Sequence, residues 1–163
     1  MILPRRAVLA LVLAIPAACS NFRTYDGPAV TSVVVHKAER RMYLLNGGTV
    51  LRDYKIGLGG NPIGPKRVEG DLKTPEGAYR IDRRNPNSQY HLSLGISYPS
   101  DQDRETAKAL GKPPGGDIFI HGRAGQNRGR GKDWTAGCIA VRDREMEEIY
   151  SMVRVGTPIY ILP

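Results

Sequence analysis

Cysteine is scarce in this chain: two among 163 residues, Cys19 and Cys138. One disulfide at most is available, which excludes a disulfide-stapled scaffold. Histidine is nearly as rare, with His36, His91 and His121 scattered along the sequence. Three isolated imidazoles and a thiol do not make a metal-ligand set of known spacing. Aromatics amount to 7%, with a single Trp and two Phe. They do not interleave with the basic residues, which argues against a nucleic-acid binder. Long hydrophobic runs are missing too. The main one, Ala7 to Ala14, is too short to span a bilayer as a helix. The glycine-rich GLGGNPIG (57–64) lacks the Gly-Lys-Ser/Thr ending of a phosphate cradle and follows no strand-to-helix pattern.

What is present fits one globular domain, with 40% hydrophobic and 25% charged residues. Nineteen glycines and twelve prolines predict a turn-rich, mainly β architecture. The net charge is +8. Arg5 and Arg6 flank the apolar run, and the small residues Ala17 and Ala18 precede Cys19. This resembles a bacterial lipoprotein signal, in which that cysteine is acylated. Residues 1–19 therefore read as a signal segment, 20–30 as a short tether and 31–163 as the domain. The signal predicts export to the periplasm, with membrane contact only through a lipid on Cys19. Loss of Arg5 and Arg6 takes the charge from +8 to +6.

From Thr31 the pattern is β. TSVVVHK and MYLL are followed by Asn46-Gly47, a hairpin signal, and then by TVLRDYK. Residues 59–70 read as an exposed glycine/proline loop. Tyr79 and Ile81 share one face of the next strand, and Arg83 to Asn87 reads as polar loop. HLSLGISYP (91–99) alternates, with Leu92, Leu94, Ile96 and Tyr98 on one side and small polar residues on the other. That predicts a half-buried strand whose polar face lines a cleft. Ser100 and Asp103 form a capping box for a short helix. A second helix is expected from Asp143 as N-cap, with Met146, Ile149, Tyr150 and Val153 as its apolar stripe. PIYILP closes the chain as a strand.

The stretch DIFIHGRAGQNRGRGKDWTAGCIAV (117–141) carries chemistry. His121 ends a short apolar strand, and Cys138 lies 17 positions later beside Gly137. A thiol becomes a strong nucleophile as thiolate, and a neighbouring imidazole favours that ionisation. The two meet only if adjacent strands bring them together. Once Cys19 is acylated or removed, Cys138 is the sole free thiol of an exported chain. Such a thiol is either buried and inert or kept for chemistry, and the flanking glycine with the distant His-Gly favours chemistry.

IHG, an intervening loop and TAGCIAV resemble the catalytic signature of the L,D-transpeptidases of bacterial peptidoglycan, the YkuD-type domain. The resemblance continues through GDLKTPEGAYRI (70–81) and HLSLGISYP, and covers about residues 31–163. It implies a β-sandwich or mixed sheet with one or two short helices packed on it. It also implies a Cys138 nucleophile, a His121 acid–base partner, peptidoglycan stem peptides as substrate and no cofactor. A backbone carbonyl, with Gly122 the family-like choice, is expected to orient His121. The backbone N–H groups of Gly137 and Cys138 are expected to receive the oxyanion, with the Thr135 hydroxyl adding a donor. Two departures stand out. Ala136 replaces a His, and Ala140 replaces a common Arg or Asn. Arg142, two positions on, stands as a substitute for the missing cation, and with Trp134 and Tyr98 as a substrate-contact candidate. The loop of Arg123, Arg128, Arg130 and Lys132 is either a solvated loop or a lid that attracts stem-peptide carboxylates.

The leading expectation is an acyl-thioester on Cys138 passed to an amine, which makes an L,D-transpeptidase. With water as acceptor the same pair makes an L,D-carboxypeptidase, or an amidase that detaches a wall-attached protein. A non-catalytic wall-binding lipoprotein is the alternative from another class, and the intact Cys/His pair argues against it.

Overall fold

The computed structural model describes residues 22–125 and 132–163. The signal segment with Cys19, and the loop residues Arg128 and Arg130, lie outside the described residues. Eight strands and two helices follow in chain order among the described residues. They are β1 (Ser32–His36), β2 (Arg41–Asn46), β3 (Thr49–Lys55), β4 (Gly77–Ser88), β5 (His91–Ile96), α1 (Asp101–Ala109), β6 (Phe119–His121), β7 (Ile139–Ala140), α2 (Asp143–Met152) and β8 (Pro158–Leu162). The strands form one mixed sheet in the order β3-β2-β1-β8-β4-β5-β6-β7. The β1–β8 and β6–β7 pairs are parallel and the others antiparallel. The mainly β class with two short helices is the one expected.

Period-two alternation places the core. Val33, Val35, Met42 and Leu44 are fully buried, while Val34 and Tyr43 between them are half-buried on the other face. The last strand, β8, runs through the middle of the sheet, and its Ile159 and Ile161 are buried. Helix α2 packs against β5 through the anticipated stripe Met146, Ile149, Tyr150 and Val153. Each side chain there contributes roughly 1.5–3 kcal/mol by leaving water.

The two ends of the strand order meet. Beyond β3, Gly57 pairs with Ala140 of β7, its N–H donating at 2.8 Å and its carbonyl accepting at 2.9 Å. Gly59 bridges to Thr135 in parallel sense, with the Thr135 N–H donating to the Leu58 carbonyl at 3.1 Å and the Gly60 N–H to the Thr135 carbonyl at 3.0 Å. Only glycine fits at this seam. A Cβ on Gly57 would lie 2.2 Å from the carbonyl oxygen of Lys132, and one on Gly59 2.1 Å from that of Leu72.

The segment expected to be an exposed loop is pinned from within by two buried lysines. Lys37 donates to the carbonyls of Gly64 (2.7 Å) and Thr74 (2.9 Å) and to Glu76 (2.7 Å). Lys66 donates to Asp71 at 3.0 Å and to the Val68 carbonyl at 2.9 Å. Asp71 also accepts the N–H groups of Arg67, Val68 and Lys73. Burial raises its carboxyl, yet these hydrogen bonds outweigh burial and hold it below the usual range. Asp71→Asn is expected to cost about 3 kcal/mol in denaturant unfolding, because it leaves the Lys66 charge buried and unmatched. The wild type should lose that contribution as pH falls through the lowered carboxyl pKa, and the variant should not. Equal stabilities at neutral pH would refute this role.

Several expectations are corrected. Arg83 to Asn87 is not loop but part of β4, which shifts register between Ile81 and Arg83 and so turns from one half of the sheet into the other. β5 is buried on both faces: Ser93 and Gly95 of its polar side are buried too, and Ser93 lines the cavity of the site. The described tether residues, 22–30, lack regular structure, but they dock: Tyr25 and Val30 pack on the core, and Arg23 pairs with Glu147 at 3.1 Å. The N-cap of α2 is Arg142, whose N–H is capped by Glu145 at 2.9 Å. Asp143 serves the site instead.

Candidate active site

The parallel register sets Ile120 beside Ile139 and His121 beside Ala140. Period two then puts His121 and Phe119 on the face that carries Ala140 and Cys138. The Cys138 Sγ accepts from the Phe119 N–H at 3.4 Å and donates to the Asp117 carbonyl at 3.4 Å. Cys138 and His121 line one cavity of about 550 Å³, walled by Tyr90, Ser93, Phe119 and Asp117 and closed by the 85–89 stretch. The two residues that the sequence places 17 apart are thus brought to one cleft.

His121 is 4% exposed. Its Nδ1 lies 2.6 Å from the Gly122 carbonyl oxygen, as expected. A carbonyl only accepts, so Nδ1 holds the proton and Nε2 is the free base. The ring is clasped by Tyr90, with centroids 4.5 Å apart, and met edge-on by Trp134 at 5.9 Å. Gly122 has no room for a side chain. A Cβ there would come within 2.5 Å of Asp143 Oδ1 and 2.8 Å of the Tyr90 carbonyl oxygen. That Asp143 oxygen accepts the N–H groups of Arg123 (2.5 Å) and Ala124 (3.0 Å), and so fixes the chain leaving His121.

The turn before the nucleophile is equally determined. The Thr135 hydroxyl donates to the Cys138 carbonyl at 2.7 Å and accepts the Gly137 N–H at 3.1 Å. The expected roles change accordingly. Thr135 and the Gly137 N–H hold the turn and are not free for an oxyanion, and among the described residues nothing accepts the Cys138 N–H. Gly137 has φ +132°, in the region that favours glycine.

Burial lowers the His121 imidazole, with the Arg123 charge adding to it against the Gly122 hydrogen bond. Burial raises the Cys138 thiol, opposed by the Phe119 N–H and the Lys66 charge. The pair at rest is therefore neutral thiol and neutral imidazole.

The other candidates fall apart in space. Tyr98 is in the core, its hydroxyl donating to the Pro114 carbonyl at 3.0 Å. Arg142 is not on a strand beside the cleft. It caps α2, and its guanidinium bonds Glu145. Trp134 is half-buried against His121 and supports the imidazole. Ala136 is exposed, and Ala140 is fully buried at the seam. His91 pairs with Glu147 at 3.0 Å, outside the cleft. Sequence reading missed Tyr90, because its role depends on where the β4–β5 turn falls. Ser93 lines the cavity from the small polar face of β5 that the alternation had indicated.

A cysteine immediately before one strand, and an oriented histidine on the parallel strand beside it in a closed mixed sheet, define the class. The YkuD family profile, L,D-transpeptidase catalytic domain, matches residues 31–161. The chain belongs to this family. It is 30% identical to the "Putative L,D-transpeptidase YafK" of Escherichia coli (strain K12) over 106 residues, 64% of this chain and 37% of YafK. The crystal structure of the helical cell shape determining protein Pgp2 from Campylobacter jejuni superposes with TM-score 0.64 at 28% identity, covering 88% of this chain and 51% of Pgp2. Bd1075 of Bdellovibrio bacteriovorus shares the fold, with TM-score 0.58 and 23% identity over 82% of this chain and 48% of that one. The chain thus spans about a third to a half of the length of these relatives.

Proposed function

We propose that the enzyme cleaves a peptidoglycan stem peptide through an acyl-thioester on Cys138 and passes the acyl group to an amine. The observation that carries this reading is the His121 tautomer: Nδ1 bound to the Gly122 carbonyl leaves Nε2 free in the cavity that Cys138 shares. Nε2 takes the thiol proton as sulfur attacks the carbonyl of the third residue of a tetrapeptide. The Cys138 N–H receives the developing oxyanion. The C–N bond breaks, and imidazolium returns the proton to the departing D-Ala amine. An acceptor amine then displaces sulfur.

Water as acceptor is a second reading, favoured by one feature. None of the described residues lining the cleft is Lys or Arg, and Arg142, offered as the missing cation, is held elsewhere by Glu145. A cleft without a cationic anchor places an acceptor carboxylate poorly, and hydrolysis needs only an open approach. Tetrapeptide donor with excess acceptor amine, analysed by mass, is expected to give an adduct alongside free D-Ala. Tripeptide and D-Ala alone at every acceptor concentration would make the enzyme a hydrolase. Export with lipidation belongs to the same reading. A fatty-acid probe should label the wild type and not Cys19→Ser, and an exported but unlabelled wild type would reject the anchor.

A further inference from the structure

We propose a second site: a binding pocket for a phosphate group at the base of the loop that joins His121 to Cys138. Two adjoining cavities of about 440 and 450 Å³ lie there, sharing Arg41, Lys55 and Arg123. Arg40, Lys132 and one carboxylate, Glu39, complete the first over an apolar floor of Ala38 and Ile56, with Glu39 engaged by His36 at 4.0 Å and by the Tyr43 hydroxyl at 3.5 Å. Arg40 is matched by Asp133, Arg41 by Asp53 and Arg142 by Glu145. Lys55, Arg123 and Lys132 have no carboxylate within 4.0 Å among the described residues. None can come from elsewhere in the chain, since residues 1–21 and 126–131 contain no Asp or Glu.

Three like charges around one hollow repel unless an anion joins them. The Arg123 Nε is a further sign, a buried donor with no acceptor among the described residues, and such a donor costs about 1–3 kcal/mol to leave unmatched. A single carboxylate would leave two charges over. A phosphate dianion offers several strong acceptor oxygens and nearly balances the three cations. The site is also linked to the cleft. Arg123 lies two positions past His121 and its charge disfavours the imidazolium, so an anion on Arg123 relieves that repulsion and raises the His121 pKa. This inference is independent of whether an amine or water accepts the acyl group.

Isothermal titration of the protein with inorganic phosphate is expected to saturate. Lys55→Ala/Lys132→Ala should weaken binding at least tenfold, whereas Lys108→Ala/Lys112→Ala, an equal charge change on and just past exposed α1, should alter it less than twofold. Under saturating phosphate the NMR titration midpoint of His121 should move up. Cosedimentation with vesicles of phosphatidic acid in phosphatidylcholine, over phosphatidylcholine alone, would assign a lipid headgroup as the source. Phosphate binding without cosedimentation would assign a free phosphoryl ligand. Equal phosphate affinity in both double variants, an unmoved His121 midpoint, or tighter binding of glutarate than of phosphate would overturn the proposal.

Discussion

Cys138→Ala is expected to abolish D-Ala release and covalent capture of thiol-reactive acylating inhibitors such as carbapenems, with the fold intact. The side chain replaced is partly exposed, and its only hydrogen bonds among the described residues are the long contacts to Phe119 and Asp117. His121→Ala should reduce acylation by about 10²–10⁴-fold, the usual scale of positioned proton transfer. The pH profile separates this from a merely structural loss. Burial depresses the imidazole, so the acid limb of kcat/KM should fall below the ordinary imidazole range near 6.5. Stability carries the same sign. A group whose folded pKa is depressed adds stability above its unfolded value and loses it as pH falls through that window. Full activity in either variant, measured as D-Ala released, would remove the proposed mechanism.

Gly137→Ala is expected to cost at least 10²-fold in kcat/KM while leaving Cys138 accessible to iodoacetamide. Two independent constraints act there. The φ of +132° is one that an L side chain rarely adopts, and a Cβ would sit 2.6 Å from the Lys73 carbonyl oxygen and 3.2 Å from Ile118 Cδ1. Backbone on one side and a buried core side chain on the other leave the turn to move, and with it Cys138. Displacement of a reacting atom by about 1 Å is enough for such a loss. Gly48→Ala is the contrast, since nothing lies within 4 Å of its Cβ and no positive φ opposes it. A Gly137→Ala enzyme within threefold of wild type would show that the turn adapts.

Those predictions rest on residues that could be read in advance to very different degrees. Cys138, His121 and the Gly122 carbonyl were legible, because residue type and motif order point to them directly. The apolar stripe of α2 and the Ser100 capping box were legible for the same local reason. Arg142 was misplaced because a two-residue strand was extended by periodicity through it, whereas the chain turns into α2 at that point. Thr135 and the Gly137 N–H were assigned to substrate, yet their nearest partners are each other and the Cys138 carbonyl. Asp143 passed as a helix cap. Its actual partners, the N–H groups of Arg123 and Ala124, are some twenty positions away and carry no sequence periodicity. The length of β4 was hidden by polar residues, since a strand that bends between two halves of a sheet exposes both faces in turn.

The pairing of Gly57 with Ala140 has a consequence for how peptides are read. A strand edge beside a nucleophile ordinarily invites a substrate to lie down as one more strand, and invites neighbouring copies to do the same. Here the N–H and carbonyl of Ala140 are taken by Gly57, the Thr135 N–H by Leu58 and the Thr135 carbonyl by Gly60. The free edge of β7 is thereby covered, and among the described residues the Cys138 N–H has no acceptor. An incoming peptide therefore finds no ladder to extend, and its selection falls to the shape of the cleft and to the side chains of Tyr90, Ser93 and the 85–89 stretch.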